Sequence, residues 1–393
     1  MYNSRLGNLV FAFAVCLLIT PASFAQQGES TPIQLGIKTS ITSEIMDEER
    51  PVLVYTPASY DQSATSYPVI YLLDGDGHLL HTAGITQFLS NNGKMPEAII
   101  IGLPNTDRTR DLTPALSGPS DQFPTAGGAD TFLSFIADEL IPYVESNYRT
   151  VPYRILIGHS FGGLFSVNAL LKKPGLFNAH ISISPSMWWD NKGLVDKVGT
   201  FMKDNPELKG SYYMTLGNEG GAMLAGTWEL AGVFEEHGPQ HFKWHFELMK
   251  EETHGSIPHR STYKGLEWLY DGWSIDNLFG RVAEGGMEDV DAHYEALSAH
   301  FGYEIKTPES IVNQVGYTLL GQERVEEAVA VMQRNATNFP ESPNVYDSLG
   351  DAYKANGDTD KASESYKKAC SMGSAVNHPN TGVYCKNAVD ANN

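Results

Sequence analysis

A serine between glycines is the residue of this sequence best suited to covalent chemistry. Ser160 lies in the run GHSFG at 158–162, a G-x-S-x-G pattern whose sharp turn lifts the serine hydroxyl clear of a sheet. An apolar, strand-like run at 155–157 precedes the pattern, and a helix-compatible run at 164–171 follows it. This order predicts a nucleophilic Ser160, with the amide of Phe161 at a helix N-terminus where it can stabilise an oxyanion. A glycine-rich turn with a buried serine is the structural alternative.

A nucleophilic serine needs a base to take its proton, and in this arrangement the chain order is serine, acid, histidine. His254 is the best-placed base, because it follows a predicted strand at 243–248 in a polar loop that contains glycine. His241 and His259 are alternative bases. His245 lies within the predicted strand, where a structural role is favoured.

The acid of such a site should follow an earlier strand. Glu219 lies on a glycine-rich turn directly after the predicted strand at 212–216, and its carboxylate would hold the tautomer of His254 and stabilise the imidazolium. Asp190 is an alternative acid. A serine–histidine dyad, with Glu219 as a solvated loop residue, is also open.

A second oxyanion donor is expected from the loop after an early strand. The run LLDGDGH at 72–78 fits, and the amide of Asp76 is the candidate donor. His78 and His81 are three residues apart, but no further ligand of matching spacing accompanies them, so no metal site is predicted. The sequence contains neither a phosphate-binding GxxxxGK[ST] motif nor a dinucleotide-binding GxGxxG motif, and no cofactor is implied.

Short apolar runs alternate with longer amphipathic ones between residues 33 and 273. Strands are predicted at 52–55, 68–73, 98–103, 154–157, 179–183, 212–216 and 243–248. The clearest helix is predicted at 130–148, where apolar residues recur at helical spacing. This alternation predicts an α/β fold with a mostly parallel central sheet, covered by helices on both faces.

The C-terminal part has helical periodicity and repeats itself. Gly316 and Gly350 are 34 residues apart, and so are Ala328 and Ala362, which is the period of tetratricopeptide repeats. Two such units are fewer than the roughly three that a free-standing array needs. We therefore expect them to pack on the α/β domain or on the helix around 290–301. They are interpreted as a structural cap or dimer contact, or as a surface for a protein partner.

The first 25 residues have the pattern of a secretory signal peptide, with an apolar run at 9–20 and small residues before a cleavage point after Ala25. Export to the periplasm or to the medium is therefore expected. An N-terminal membrane anchor and a lipoprotein reading of Cys16 are weaker alternatives. Cys370 and Cys385 remain in the mature chain and could form a disulfide or stay as free thiols.

Charge limits the range of partners. The chain has 27 basic and 47 acidic residues, a formal net charge of -20. Loss of Arg5 with the signal peptide makes this -21, which argues against nucleic acid or anionic membrane as partners. The composition is otherwise that of a globular protein, with 41% hydrophobic residues.

Five segments together resemble the putative-esterase (esterase D-like) family of α/β hydrolases, over roughly residues 30–276: YLLDGDG, RTRDLTP, GHSFGG, SPSMWWD and THGS. Within that family, the chain is most similar to siderophore trilactone esterases of the enterobactin and salmochelin type. The resemblance implies a substrate cleft lined by Arg108 or Arg110 and by Trp188 and Trp189. The alternatives are surface arginines and aromatic packing. The helical repeats depart from the compact siderophore esterases.

The predicted organisation is a signal peptide (1–25), an esterase domain (26–276), a linking helix (277–306), tetratricopeptide-like repeats (307–374) and a tail (375–393). The predicted reaction is hydrolysis of a small-molecule carboxylic ester through an acyl-enzyme. A siderophore trilactone is the candidate substrate. A general or feruloyl-type esterase, an acyltransferase and a non-catalytic binding protein that uses the repeats are the alternatives.

Overall fold

An eight-stranded sheet is the centre of the structure, a computed structural model that describes residues 33–391. The predicted signal peptide and Cys16 lie outside the described residues. The strands are β1 (Ile37–Ser43), β2 (Glu48–Tyr55), β3 (Tyr67–Leu73), β4 (Ile99–Leu103), β5 (Thr150–His159), β6 (Ala179–Ile183), β7 (Gly210–Leu216) and β8 (Phe242–Leu248).

The sheet order is β1-β2-β4-β3-β5-β6-β7-β8. The pairs β1–β2 and β2–β4 are antiparallel, and the remaining neighbours are parallel. The predicted mostly parallel sheet is thus confirmed, and each of the seven predicted strands overlaps one of β2–β8. β1 was not predicted, because its alternating exposed residues give only a weak apolar signal.

Fourteen α-helices are present in the described chain. They are α1 (Gly75–Asn91), α2 (Arg108–Leu112), α3 (Ala129–Phe135), α4 (Ile141–Asn147), α5 (Phe161–Lys172), α6 (Gly193–Asp204), α7 (Gly221–His237), α8 (Ile257–Leu269), α9 (Leu278–Phe301), α10 (Glu309–Gly321), α11 (Val325–Asn338), α12 (Pro343–Ala355), α13 (Thr359–Ala375) and α14 (Thr381–Asp390).

Helices cover both faces of the sheet, as its apolar strands require. Alternate residues of β3 show this, because Ile70 and Leu72 pack with α1 and α8, whereas Tyr71 and Leu73 pack with α3 to α5. Farther along the sheet, α6 and α7 cover the second face. Because β3 to β8 run parallel, their carboxyl ends lie at the same edge of the sheet, and the loops that follow them can meet there.

The predicted helix at 130–148 is α3 and α4 joined by a π-helical turn at Ile136–Leu140. Pro142, in the first turn of α4, has no amide hydrogen and so removes one α-helical hydrogen bond. The apolar spacing predicted the helix but could not show this irregular turn.

The C-terminal helices α10 to α13 form two helical hairpins. A side chain added at Gly316 would lie 2.7 Å from Met332, and one added at Gly350 would lie 2.5 Å from Tyr366. The glycines repeat at 34 residues because each lies where two helices of a hairpin cross. The helices also pack on α9 as expected, and one hydrophobic cluster extends from the sheet through α9 to α10 and α11.

The segment predicted as a tail contains α14, which packs against α13. Five of the ten residues of α14 are apolar, and the sequence analysis missed this helix. A disulfide joins Cys370 of α13 to Cys385 of α14. No helix in the described part of the chain is long and apolar enough to cross a membrane.

Candidate active site

The turn after β5 places Ser160 at the carboxyl edge of the sheet. Ser160 has φ 60° and ψ −113°, a strained conformation for a residue with a side chain. A side chain added at Gly158 would lie 2.3 Å from the Gly162 oxygen, and one at Gly163 would lie 2.8 Å from Pro185. Both glycines are therefore required for the turn, and Ser160 comes to stand directly before α5.

His254 and Glu219 are brought together by the loops after β8 and β7. His254 Nδ1 lies 2.7 Å from Glu219 Oε2. The other carboxylate oxygen of Glu219 accepts a hydrogen bond of 2.6 Å from Ser184 Oγ. The Glu219 side chain is only 11% exposed, whereas that of His254 is 42% exposed. A nearly buried carboxylate thus fixes the ring of a histidine that remains accessible to substrate.

Ser160 lies at the same edge of the sheet, and within residues 33–391 no hydrogen bond joins its hydroxyl to His254. Among the described residues, the hydrogen-bond partner of its Oγ is Ser186 Oγ, at 3.4 Å. Hydrogen bonds between nucleophile and base are often long before substrate binds. Ser160, His254 and Glu219 thus lie on the loops that follow β5, β8 and β7, at one edge of the sheet.

The alternative bases lie elsewhere. His241 precedes β8 and so lies at the amino end of a parallel strand, on the opposite edge of the sheet. His259 is in the first turn of α8, beside His81. Asp190, the alternative acid, accepts bonds of 3.0 and 2.6 Å from Ser117. None of the three takes part in the contact between His254 and Glu219.

Two helix N-termini can supply oxyanion donors. Phe161 is the first residue of α5, and Asp76 is the second residue of α1. Amides in the first turn of a helix have no acceptor within the helix. The structure thus places both predicted amides where a donor can remain free for an oxyanion.

Arg108 lies close to the site, but its guanidinium forms an ion pair with Asp74. It forms two bonds with Asp74, of 2.7 and 2.9 Å, and donates a third, of 3.1 Å, to the carbonyl of His159. Its guanidinium also lies over the ring of Phe161. Arg108 therefore links the loop after β3 to the turn that carries Ser160. If Arg108 also binds substrate, its guanidinium must contact the substrate and Asp74 at the same time.

Arg110, the other predicted substrate arginine, is part of an ionic network. It pairs with Glu48 at 2.6 Å and with the buried Asp111 at 2.7 Å, and Asp111 also pairs with the buried Arg50. The hydrogen bond from Arg110 lowers the pKa of Glu48 to about 2. This geometry favours a structural role, so the substrate-binding prediction for Arg110 is not supported.

Of the two predicted tryptophans, Trp188 is half-buried and Trp189 is buried. The Trp189 ring donates to the carbonyl of Pro114 at 3.0 Å and packs in the core, which is the aromatic packing left open by the sequence. Phe123, which the sequence analysis missed, packs on Trp188, Trp189 and Phe161 with ring centroids 4.9 to 6.1 Å apart. It lies in an irregular segment whose sequence gives no signal of its position.

A row of histidines was also missed. The rings of His254 and His159 are 4.5 Å apart, those of His159 and His78 are 5.9 Å apart, those of His78 and His81 are 5.2 Å apart, and those of His81 and His259 are 5.5 Å apart. Burial lowers the pKa of His159 to about 3, that of His81 to about 4, and that of His78 below its usual value. These three imidazoles are therefore neutral near neutral pH. Within residues 33–391, no cluster of side chains could hold a metal ion.

The fold and the site together define a serine hydrolase of the α/β-hydrolase type. Residues 43–212 match the model of the putative-esterase family, and residues 343–372 match a tetratricopeptide repeat.

Two curated relatives and one solved structure are similar to this chain. A siderophore enterobactin esterase of Emericella nidulans is 36% identical over 37% of this chain and 54% of its own. A ferri-bacillibactin esterase of Bacillus subtilis is 32% identical over 35% of this chain and 53% of its own. The crystal structure of an IroE-like serine hydrolase from Shewanella oneidensis is 28% identical, with a TM-score of 0.65, and covers 77% of this chain and 99% of its own.

This chain thus spans about half the length of each of these two curated relatives. The matches support an ester-hydrolysing enzyme with a serine mechanism, in agreement with the prediction from the sequence. The tetratricopeptide match covers the second of the two repeat units predicted in the C-terminal part.

Proposed function

We propose that this protein hydrolyses the ester bonds of a siderophore, through an acyl-enzyme formed on Ser160. The observation that carries the catalytic part is the contact of 2.7 Å between His254 and Glu219 at the same sheet edge as the strained Ser160 turn. The siderophore part is supported by the activity named for the two curated relatives.

In the first step, His254 takes the proton of Ser160 as the serine oxygen attacks the ester carbonyl. The Nδ1 atom of His254 faces Glu219, so the proton on Nδ1 is held there and the Nε2 atom is left to act as the base. The amides of Phe161 and Asp76 stabilise the negative charge on the carbonyl oxygen. His254 then gives its proton to the departing alcohol.

The second step repeats this chemistry with water. His254 takes a proton from a water molecule as the water oxygen attacks the acyl group on Ser160. His254 then returns this proton to the serine oxygen, the bond between the acyl carbon and Ser160 breaks, and the carboxylic acid is released. No atom beyond the chain, the ester and water is needed for this sequence.

The test is hydrolysis by residues 26–393, measured beside the Ser160→Ala variant. The substrates are 4-nitrophenyl butyrate, a feruloyl ester and the enterobactin trilactone. We expect cleavage of the trilactone with a higher kcat/KM than that of the simple esters, and loss of all cleavage in the variant. Cleavage of simple esters alone would refute the siderophore substrate. Activity of Ser160→Ala within a few-fold of the wild type would refute the nucleophile.

We also infer that the mature enzyme is exported, on the basis of the apolar run at 9–20 and the small residues before position 25. Fractionation of cells that express the full chain tests this inference. A mature product that begins near Gln26 in the periplasm or medium supports export, and an uncut product in the cytoplasm refutes it.

A further inference from the structure

Asp74 is a nearly buried acid beside the candidate site, and the catalytic steps described above do not use it. It is the first residue after β3 and directly precedes α1. Its backbone has φ 52°, a left-handed conformation that is uncommon for residues with a side chain, and its side chain is only 13% exposed. The carboxylate does not cap α1. Its position at the start of this helix therefore needs another explanation.

The carboxylate of Asp74 lies next to the second helix of the site. A side chain added at Gly162, the second residue of α5, would lie 3.6 Å from Asp74 Oδ2. Asp74 itself stands two residues before Asp76, the candidate donor of α1, and α5 begins with Phe161, the other candidate donor. One acidic residue thus lies beside both helix N-termini that are proposed to stabilise the oxyanion.

A negative charge at this position opposes the proposed chemistry. A carboxylate beside the oxyanion donors repels the charge that forms on the ester carbonyl oxygen, and this repulsion is stronger where water is excluded. Burial by itself raises the pKa of Asp74, but the hydrogen bonds and the charge of Arg108 outweigh burial and hold this pKa below its ordinary value. Asp74 is therefore charged at neutral pH, and the site needs a compensating positive charge.

Arg108 supplies this positive charge and also fixes the geometry. Its Nε and one terminal nitrogen donate to the two carboxylate oxygens of Asp74, at 2.7 and 2.9 Å, a paired arrangement that orients both groups. The same terminal nitrogen donates to the carbonyl of His159, the residue before Ser160, at 3.1 Å. Asn105 Nδ2 also donates to Asp74, at 2.7 Å. The ion pair therefore joins the start of α1 to the turn before α5.

We propose that Asp74 and Arg108 are positioning residues for the oxyanion site. Their ion pair sets the separation of the Phe161 and Asp76 amides, and Arg108 balances the negative charge that Asp74 places beside them. This role rests on the proposed esterase function and adds two residues to its machinery. It differs from substrate binding by Arg108, in which the guanidinium would contact a polar or charged group of the substrate and would matter little for a small neutral ester.

The test uses a neutral ester and an inhibitor that reproduces the oxyanion. The ester is 4-nitrophenyl butyrate. The inhibitor is 1,1,1-trifluorohexan-2-one: the Ser160 oxygen adds to its carbonyl carbon, the serine proton goes to His254, and the carbonyl oxygen becomes an oxyanion. The alcohol 1,1,1-trifluorohexan-2-ol has a similar size but cannot form this adduct. The ratio of the two inhibition constants, ketone over alcohol, does not depend on the concentration of active enzyme.

We expect kcat/KM for the ester to fall about 30- to 300-fold in Arg108→Gln, since complete loss of one oxyanion donor lowers the rate about 100- to 1000-fold. The inhibitor ratio should rise by a similar factor, while the alcohol binds within threefold of wild type. Arg108→Lys keeps the charge but not the paired bonds, so both quantities should lie between those of wild type and Arg108→Gln. Arg334→Gln is the matched control, because Arg334 forms two bonds with Asp291 of α9, and this variant should match the wild type.

A double variant isolates the balance of charge. Asp74→Asn combined with Arg108→Gln leaves no unpaired carboxylate beside the donors. Its kcat/KM for 4-nitrophenyl butyrate should therefore exceed that of Arg108→Gln alone by about tenfold, as expected for two directly coupled residues. If the double variant is no more active than Arg108→Gln, the proposed balance of charge is wrong.

Two other results would overturn the positioning role. The first is hydrolysis of 4-nitrophenyl butyrate by Arg108→Gln within threefold of wild type, and a loss confined to the enterobactin trilactone would then assign Arg108 to substrate binding. The second is an unchanged inhibitor ratio in Arg108→Gln, or in Arg108→Lys if the glutamine variant does not fold. Failure of the esterase function itself would look different, because hydrolysis of 4-nitrophenyl butyrate by the wild type would be absent or would persist in Ser160→Ala.

Discussion

The carboxylate of Glu219 should be required for catalysis, and Glu219→Gln tests this with little change of shape. Glu219 accepts hydrogen bonds on both oxygens, from His254 Nδ1 and from Ser184 Oγ. Glutamine has one acceptor oxygen and one donor nitrogen. If its oxygen keeps the bond to Ser184, its NH₂ group faces His254 and favours the tautomer with hydrogen on Nε2, which cannot accept the proton of Ser160.

The size of the effect follows from the charge pair that is lost. An imidazolium and a carboxylate about 4 Å apart attract by roughly 4 kcal/mol at an effective dielectric constant of about 20. Because His254 is 42% exposed, solvent screens part of this attraction. A loss of about 2 to 4 kcal/mol in the transition state corresponds to a fall in kcat/KM of roughly 30- to 1000-fold.

The assay is steady-state hydrolysis of 4-nitrophenyl butyrate, with circular dichroism to show that the variant is folded. Glu229→Gln is the matched control, because Glu229 is a surface carboxylate paired with Lys192, and this variant should match the wild type. A folded Glu219→Gln enzyme within threefold of the wild type would refute the role of Glu219. The site would then work as a dyad of Ser160 and His254.

Four further predictions concern stability. Gly158→Ala should lower the free energy of unfolding by more than about 3 kcal/mol, because the new methyl group meets a backbone oxygen at 2.3 Å. Gly84→Ala in α1, where a methyl group meets nothing within 4 Å, should raise it by up to about 1 kcal/mol, and urea unfolding measures both. Reduction of the disulfide between Cys370 and Cys385, which closes a loop of 15 residues, should destabilise the C-terminal helices by at most about 3 kcal/mol, seen as faster hydrogen exchange with esterase activity unchanged. Burial lowers the pKa of His180 to about 3, so only the unfolded chain binds this proton between pH 6.5 and 3. The contribution of His180 to the free energy of unfolding should therefore be fully present above pH 6.5. It should decrease by up to about 1.4 kcal/mol for each unit by which the pH falls below 6.5. Urea unfolding at pH 7 and pH 5 should show a smaller loss of stability in His180→Gln than in the wild type.

The sequence predicted those parts of the fold and site that local patterns encode. Continuous apolar runs predicted β2 to β8, and the order of strand, glycine turn and helix predicted the position of Ser160. His254 and Glu219 were predicted because each follows a strand, and parallel strands end at one edge of a sheet. The 34-residue spacing of Gly316 and Gly350 predicted the helical hairpins, since a small residue is needed wherever two helices cross closely.

The missed features depend on contacts between distant segments. His159 was visible only as one letter of the serine motif, and its proximity to His78 follows from the order in which β3 and β5 pair. Phe123 lies in a segment without periodicity, so neither helical nor strand spacing could place it. Arg110 matched a family motif, but its ionic partner Glu48 comes from β2, 62 residues earlier. A one-dimensional pattern contains none of these pairings.

The packing of the repeats indicates a structural role for part of them. One hydrophobic cluster continues from the sheet through α9 into α10 and α11. Val290 and Leu297 of α9 and Val312 of α10 are buried in the same cluster as Ile155 of β5, so α9 and the first hairpin help to stabilise the strand that ends directly before Ser160. The second hairpin and α14 instead pack around a separate cluster, which includes Val345 and Tyr384. The first hairpin is thus a structural extension of the hydrolase, and any protein partner must bind the surfaces of α10 to α14 that this packing leaves exposed.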